Sequence, residues 1–182
     1  MSKATGKAET QNKTLLLIDD EQDIIEMIFE MLESPGRSIL LARNGREALE
    51  ILKERPVDAI LSDVRMPQMS GIEMLKQVRA AGLATPILLM SGHVDYRATI
   101  DAMRAGVLDV IEKPFSREKL RAAVEHALVL GAGVRRIHSD LKKFCDEKRI
   151  DAKYVDLMRY LSIFLAQQEV ERAKREALKS VS

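Results

Sequence analysis

The apolar positions of the chain fall into five short runs separated by longer stretches with helical spacing. Residues 14–18 (TLLLI) are almost continuously apolar, too short for a helix, and stopped by Asp19, Asp20 and Glu21, the pattern of a strand buried on both faces. Ile24, Ile25, Ile28, Phe29 and Leu32 then recur at helical intervals until Ser34-Pro35-Gly36 ends the element. The alternation repeats. Residues 38–42 predict a second strand, and Asn44 with Glu47 three residues on predicts a helix that turns Ala48, Ile51 and Leu52 inward and stops at Arg55-Pro56. A third strand through Val57, Ala59, Ile60 and Leu61 leads to Asp63. Beyond it Pro67 and Gly71 mark a loop, and Ser70 with Glu73 forms a capping-box pattern for a helix carrying Ile72, Leu75 and Val78. Residues 86–90 make a fourth strand ending at Ser91-Gly92-His93, and Asp95 is placed to cap a helix through Ala98, Ile100, Ala102 and Met103 as far as Gly106. Residues 107–111 make a fifth strand before Glu112-Lys113-Pro114, and Ser116 caps a helix carrying Leu120, Val124, Leu128 and Val129.

Five strands alternating with five amphipathic helices over about 120 residues predict a doubly wound, five-stranded parallel sheet, because parallel neighbours need crossover helices. All strand carboxyl ends then share one edge, where ligands and chemistry collect in such sheets. That edge would gather Asp19 and Asp20 from strand one, Asp63 from strand three, Ser91 from strand four and Lys113 from strand five. Alone, Asp63 reads equally well as a turn-forming carboxylate. Together, three close carboxylates repel one another and stay ionised near neutral pH only beside a cation; oxygen ligands favour magnesium, with manganese as the alternative. Magnesium that shares its shell with one or two carboxylates implies phosphate chemistry. An aspartate can attack phosphorus to form an acyl phosphate, with Lys113 and the Ser91 hydroxyl placed to hold the transferring oxygens.

The segments LLLIDDE, LSDVRMPQMSG, LLMSG and VIEKPF, in this order, resemble the motif set of the receiver domain of two-component response regulators. The match runs over residues 13–130, and it implies the flavodoxin-like receiver fold. By that resemblance Asp63 is the phospho-acceptor and Asp19 and Asp20 form the metal pocket with Asp63. Arg65 lends its backbone carbonyl to magnesium, Ser91 stands at the conformation-sensing hydroxyl position, Lys113 contacts the phosphoryl group, and the Lys113-Pro114 bond is cis. The donor would be a phosphohistidine on a sensor histidine kinase or a histidine phosphotransfer protein. One departure concerns Val110, at the switch position where many members carry Phe or Tyr. A second concerns Arg65 and His93, each two residues past a site residue, which read either as solvated loop or as modulators of water access to the acyl phosphate. A metabolite phosphatase with an aspartyl-phosphate intermediate is the rival reading. Such enzymes usually carry a general acid two residues after the nucleophile, where Arg65 stands here.

Composition narrows the remaining classes. The chain has 182 residues, 46% hydrophobic and 31% charged, which suits one domain with an appendage, and its formal charge of +1 gives no overall call for nucleic acid or an anionic membrane. One cysteine, Cys145, excludes an internal disulfide and suits a reducing compartment. Residues 1–12 are polar and read as a disordered segment without a signal peptide, and no run approaches the ~20 apolar residues of a membrane span; a cytoplasmic protein is expected. Past residue 130, Gly131-Ala132-Gly133 is expected to break the helix and open a helical extension over residues 131–182. Val134, Ile137, Leu141, Phe144 and Cys145 share one helical face, and a second helix is expected from about Lys153 past Ala177, apolar nearly all round in its first half. A hairpin of that kind cannot bury its own apolar surface. Homodimerisation through residues 134–178 is the simplest way to cover it. DNA binding is the less favoured output, since no helix-turn-helix pattern is evident and basic and acidic residues interleave. A phosphotransfer role for His138 and a heterologous partner are the other readings.

Overall fold

The computed structural model describes residues 12–92 and 96–147. Ten elements alternate along it: β1 (Lys13–Ile18), α1 (Gln22–Leu32), β2 (Arg37–Ala42), α2 (Gly45–Glu54), β3 (Ala59–Asp63), α3 (Gly71–Ala80), β4 (Ile87–Ser91), α4 (Tyr96–Arg104), β5 (Asp109–Glu112) and α5 (Arg117–Glu147). The strands form one sheet in the order β2-β1-β3-β4-β5, every neighbouring pair parallel. The chain therefore winds outward from β1 on one side and from β3 on the other. The expected doubly wound sheet is the observed one.

Strands covered on both faces read as unbroken apolar runs, and Leu15 to Ile18, Ala59 to Leu61 and Ile87 to Met90 are nearly or fully inaccessible. The sheet splits its alternating side chains between two cores. Leu15, Leu17, Leu61 and Met90 meet Ile25, Ile28 and Leu32 of α1 and Leu120, Val124 and Leu128 of α5. Leu16, Ile18, Ile60 and Leu89 meet Ala48 of α2, Met74, Leu75 and Val78 of α3 and Ala102 of α4. Helix starts follow the capping chemistry legible in the chain. The Asn44 side chain accepts a hydrogen bond from the Glu47 N–H, Ser70 and Glu73 close a reciprocal capping box, and the Ser116 hydroxyl accepts from the Lys119 N–H. The fifth strand is shorter than the apolar run suggests, because Val107 and Leu108 are still in the turn that follows Gly106, whose φ of +82° only glycine adopts freely.

The expected break at Gly131–Gly133 does not occur. Helix α5 runs for 31 residues straight through it, about 46 Å at the ordinary helical rise. Gly131 has another purpose: a Cβ there would lie 1.6 Å from the backbone oxygen of Asp58, so the absent side chain lets α5 press against the chain just before β3. One turn on, Arg135 Nη1 lies 3.2 Å from Asp58 Oδ1, while Asp58 Oδ2 accepts the Thr14 N–H at 2.7 Å. The Asp58 side chain is wholly buried. Nearer the start of α5, Glu125 pairs with Lys13 at 2.6 Å and Arg37 at 2.5 Å. The extension thus leaves the receiver body as a continuation of a helix held at its base, not across a hinge. The expected second helix, and residues 1–11, lie outside the described residues.

The two glycines make opposite predictions. Gly131→Val should lower unfolding stability by about 2–4 kcal/mol through overlap with backbone that cannot move aside. Gly133→Ala, whose Cβ meets nothing within 4 Å, should raise it by up to about 1 kcal/mol through helix propensity. Urea unfolding of both variants checks the pair; a stable Gly131→Val would mean that α5 does not press on Asp58.

Candidate functional site

The parallel register brings the strand ends level. Ile18 pairs with Ser62, Asp63 with Met90 and Ser91 with Glu112, so Asp19, Asp63, Ser91 and Lys113 come out along one edge. Asp63 ends β3 and is 9% exposed, Asp19 follows β1 at 1%, and Ser91 ends β4 at 7%. Lys113 follows β5. Its backbone N–H donates to Ser91 O at 2.8 Å, and the next peptide bond, to Pro114, is cis as expected. These constraints aim the lysine back across the sheet edge.

Lys113 Nζ lies 2.7 Å from Asp63 Oδ1 and 3.1 Å from Asp19 Oδ2. The second oxygen of Asp63 accepts the Arg65 backbone N–H at 2.5 Å, and Asp19 Oδ1 accepts the Glu21 N–H at 3.1 Å. Each carboxylate therefore has one partner in the lysine and one in the loop that follows its own strand. Burial pushes the Asp19 carboxyl up from its ordinary value, and the Glu21 N–H and the Lys113 charge do not fully offset it. Burial pulls the other way on Lys113, but the hydrogen bond and charge of Asp63, with those of Asp19, outweigh it and hold the ammonium above its ordinary value. One cation faces two sequestered carboxylates, so the centre lacks a positive charge.

The oxygen-only donor set and that deficit fit a divalent cation. Asp19 and Asp63 would hold it, with the exposed Asp20 and the backbone carbonyl of Arg65 completing the expected set. Among the described residues no three carboxylate, imidazole or thiolate groups converge closely enough to hold a metal ion. The Lys113 ammonium is bonded to both buried carboxylates, and Asp20 points its exposure to solvent.

Behind Asp63 the backbone is packed tightly. A Cβ on Gly71 would fall 2.2 Å from the Asp63 carbonyl oxygen, and the Gly71 N–H donates to Val64 O. The Ser62 hydroxyl donates to that same Asp63 carbonyl at 2.8 Å. Spacing alone did not single out Gly71 or Ser62 as supports of the acceptor, although the glycine inside LSDVRMPQMSG was the available signal. The Arg65 residue is exposed, and His93 lies outside the described residues. Val110 pairs with Leu89 and packs, partly buried, on the core shared by α2, α3 and α4.

The charge deficit yields a prediction. Asp19→Asn removes a buried carboxylate that folding disfavours in its ionised form, so without divalent ions the variant should be more stable at pH 7. It should also lose most of the stabilisation that magnesium gives the parent chain. Thermal unfolding with and without magnesium measures both, and a variant stabilised by magnesium as strongly as the parent would refute the assignment.

Residues 15–125 match the family model described as the response regulator receiver domain. The regulatory protein AtoC of Escherichia coli (strain K12) is 33% identical over 130 residues, covering 70% of this chain and 28% of that protein. The DNA-binding transcriptional regulator NtrC of the same strain is 33% identical over 118 residues, covering 65% of this chain and 25% of that protein. The chain thus spans about a quarter of the length of these two relatives. The solved signal receiver domain of an HD domain-containing protein from Pseudomonas fluorescens Pf-5 superimposes with a TM-score of 0.65 at 25% identity, over 69% of this chain and 93% of that one. With the whole sheet edge inside the matched region and the sheet order that of the doubly wound fold, the chain belongs to the response regulator receiver domain family.

Proposed function

We propose that the chain accepts a phosphoryl group on Asp63 from a phosphohistidine of a sensor histidine kinase or a histidine phosphotransfer protein. The observation that carries this reading is the Lys113 ammonium, 2.7 Å from Asp63 Oδ1. A carboxylate oxygen of Asp63 forms the new O–P bond while the P–N bond breaks, and the imidazole nitrogen keeps the bonding electron pair. Lys113 and the Ser91 hydroxyl hold oxygens of the transferring group, and the Arg65 N–H fixes the orientation of the acceptor. Magnesium, when bound, supplies charge that lets the acidic centre receive a phosphoryl group. The chain catalyses only its own phosphorylation and dephosphorylation. Arg65 stands two residues after Asp63, where a metabolite phosphatase would need a proton donor, so hydrolysis of a small substrate is the weaker reading.

Output runs through the helical extension, with two copies associating over residues 134–178. The continuous helix supports this, since α5 runs on past its contact with Asp58 without a joint. A second output, DNA contact by the same extension, draws on the name of NtrC. No described helix is long and apolar enough to cross a membrane. With Val110 in place of an aromatic ring, phosphorylation shifts an equilibrium wired differently from that of aromatic-bearing members.

Incubation with acetyl phosphate and magnesium should add one acid-labile phosphoryl mass to the full chain and none to Asp63→Asn; no gain on the parent sinks the function. Solution mass with and without beryllofluoride should show a dimer whose population changes, and an unresponsive monomer would remove the dimer reading. Arg65→Ala and His93→Ala should each alter the dephosphorylation rate severalfold if they govern water access, whereas unchanged rates would return both to solvated loop.

A further inference from the structure

Ser62 places a hydroxyl at a core position of β3. Two residues after Ile60 along the strand, it shares the sheet face that packs on α2, α3 and α4, and it is wholly inaccessible. A buried hydroxyl costs free energy unless it is bonded. Here it donates to the backbone carbonyl of the next residue, Asp63, at 2.8 Å. The pairing of β3 with β1 ends at Ser62, opposite Ile18, one residue before that carbonyl. The α3 side is closed as well, since a Cβ on Gly71 would fall 2.2 Å from the same carbonyl oxygen and 3.0 Å from the Ser62 hydroxyl oxygen.

Two successive peptide planes connect this contact to the acceptor carboxylate. A peptide unit is planar, so fixing its carbonyl fixes the direction of its N–H. In the unit joining Asp63 to Val64, the Ser62 hydroxyl holds the carbonyl while the Val64 N–H donates to Met90 O at 2.9 Å. In the unit joining Val64 to Arg65, the Gly71 N–H holds the carbonyl at 3.1 Å, and the N–H is the Arg65 donor to Asp63 Oδ2 at 2.5 Å. The carboxylate that faces Lys113 through Oδ1 is therefore oriented by a stretch of backbone whose first plane is held from inside the core.

We infer that Ser62 is a positioning residue for phosphoryl transfer: its buried hydroxyl sets the peptide after Asp63, and through it the Arg65 N–H that fixes Asp63 Oδ2 while Oδ1 faces Lys113. The inference rests on the reading of Asp63 as the phosphoryl acceptor. Ser62 is sealed from the rim, so loss of its hydroxyl slows the transfer step without weakening the binding of the donor.

Three substitutions in the full chain separate the hydroxyl from the space it fills. Ser62→Ala removes it, while Ser62→Val and Ser62→Thr add the same bulk without it and with it. At saturating acetyl phosphate with magnesium, the alanine and valine variants should be labelled about tenfold more slowly than the parent, with the half-saturating donor concentration unchanged, and the threonine variant should recover most of the rate. The second readout needs no donor: the Arg65 amide signal in a nitrogen–proton NMR spectrum should move in the alanine and valine variants and stay near its parent position in the threonine variant. An Arg65 amide unmoved by Ser62→Ala and Ser62→Val would overturn the inference, even if urea unfolding showed both variants to be less stable, because Ser62 would then serve packing alone. A threonine variant no better than valine in rate and signal would overturn it too. A parent chain that takes no label would remove the acceptor reading instead, and the amide comparison would still decide whether Ser62 orients Asp63.

Discussion

Everything at the working edge of this receiver depends on one ammonium shared by two sequestered carboxylates. Lys113 is drawn to Asp63 and Asp19 at once, and either carboxylate left alone at that depth would cost several kcal/mol. The lysine makes the acidic centre tolerable in the absence of a phosphoryl group. It also leaves the centre one positive charge short; burial holds Asp19 above its ordinary value, while Asp63 and Asp19 together keep Lys113 charged. A site so arranged is stable enough to fold and still electrostatically unfinished.

The scaffold serves this arrangement by fixing backbone more than side chains. Parallel pairing sets the strand ends level, the Lys113 N–H on Ser91 O locks β5 to β4 at their last residues, and Gly71 lets α3 start against the carbonyl of Asp63. Arg79 does related work on the far side. It is largely sequestered, its guanidinium is brought down to about 10 by burial, and it donates to Gly106 O, Leu83 O and Thr85 O. Two connections, α3–β4 and α4–β5, are thereby tied to one side chain, and the entry into β4 and the exit from α4 are held together.

Much of this was legible in the sequence because it rests on local signals. Apolar runs ended by Asp19, Asp63, Ser91 and Lys113 encode both the strands and the placement of the site, and Asn44, Ser70 and Ser116 mark their helix starts by hydrogen bonds within three residues. Non-local facts were not legible. Gly131 looked like a helix breaker because glycine is a weak helix former, yet its neighbour in space is Asp58, far away along the chain, and no periodicity reports that approach. The Arg135–Asp58 pair was hidden for the same reason. Asp19 and Asp20 were legible as an acidic pair, but not that Asp19 is buried against Lys113 while Asp20 is exposed.

The unbroken course of α5 has a geometric consequence for anything attached beyond it. A helix without a joint transmits rotation as well as position. Each residue advances the azimuth by about 100°, so inserting or deleting one residue between Arg135 and Glu147 would swing every following group around the axis while barely changing its distance from the sheet. Four residues would nearly restore the original facing. Helix α5 beyond its contact with Asp58 is therefore keyed in phase to the receiver body, and the angular setting of its far end is written in its number of residues.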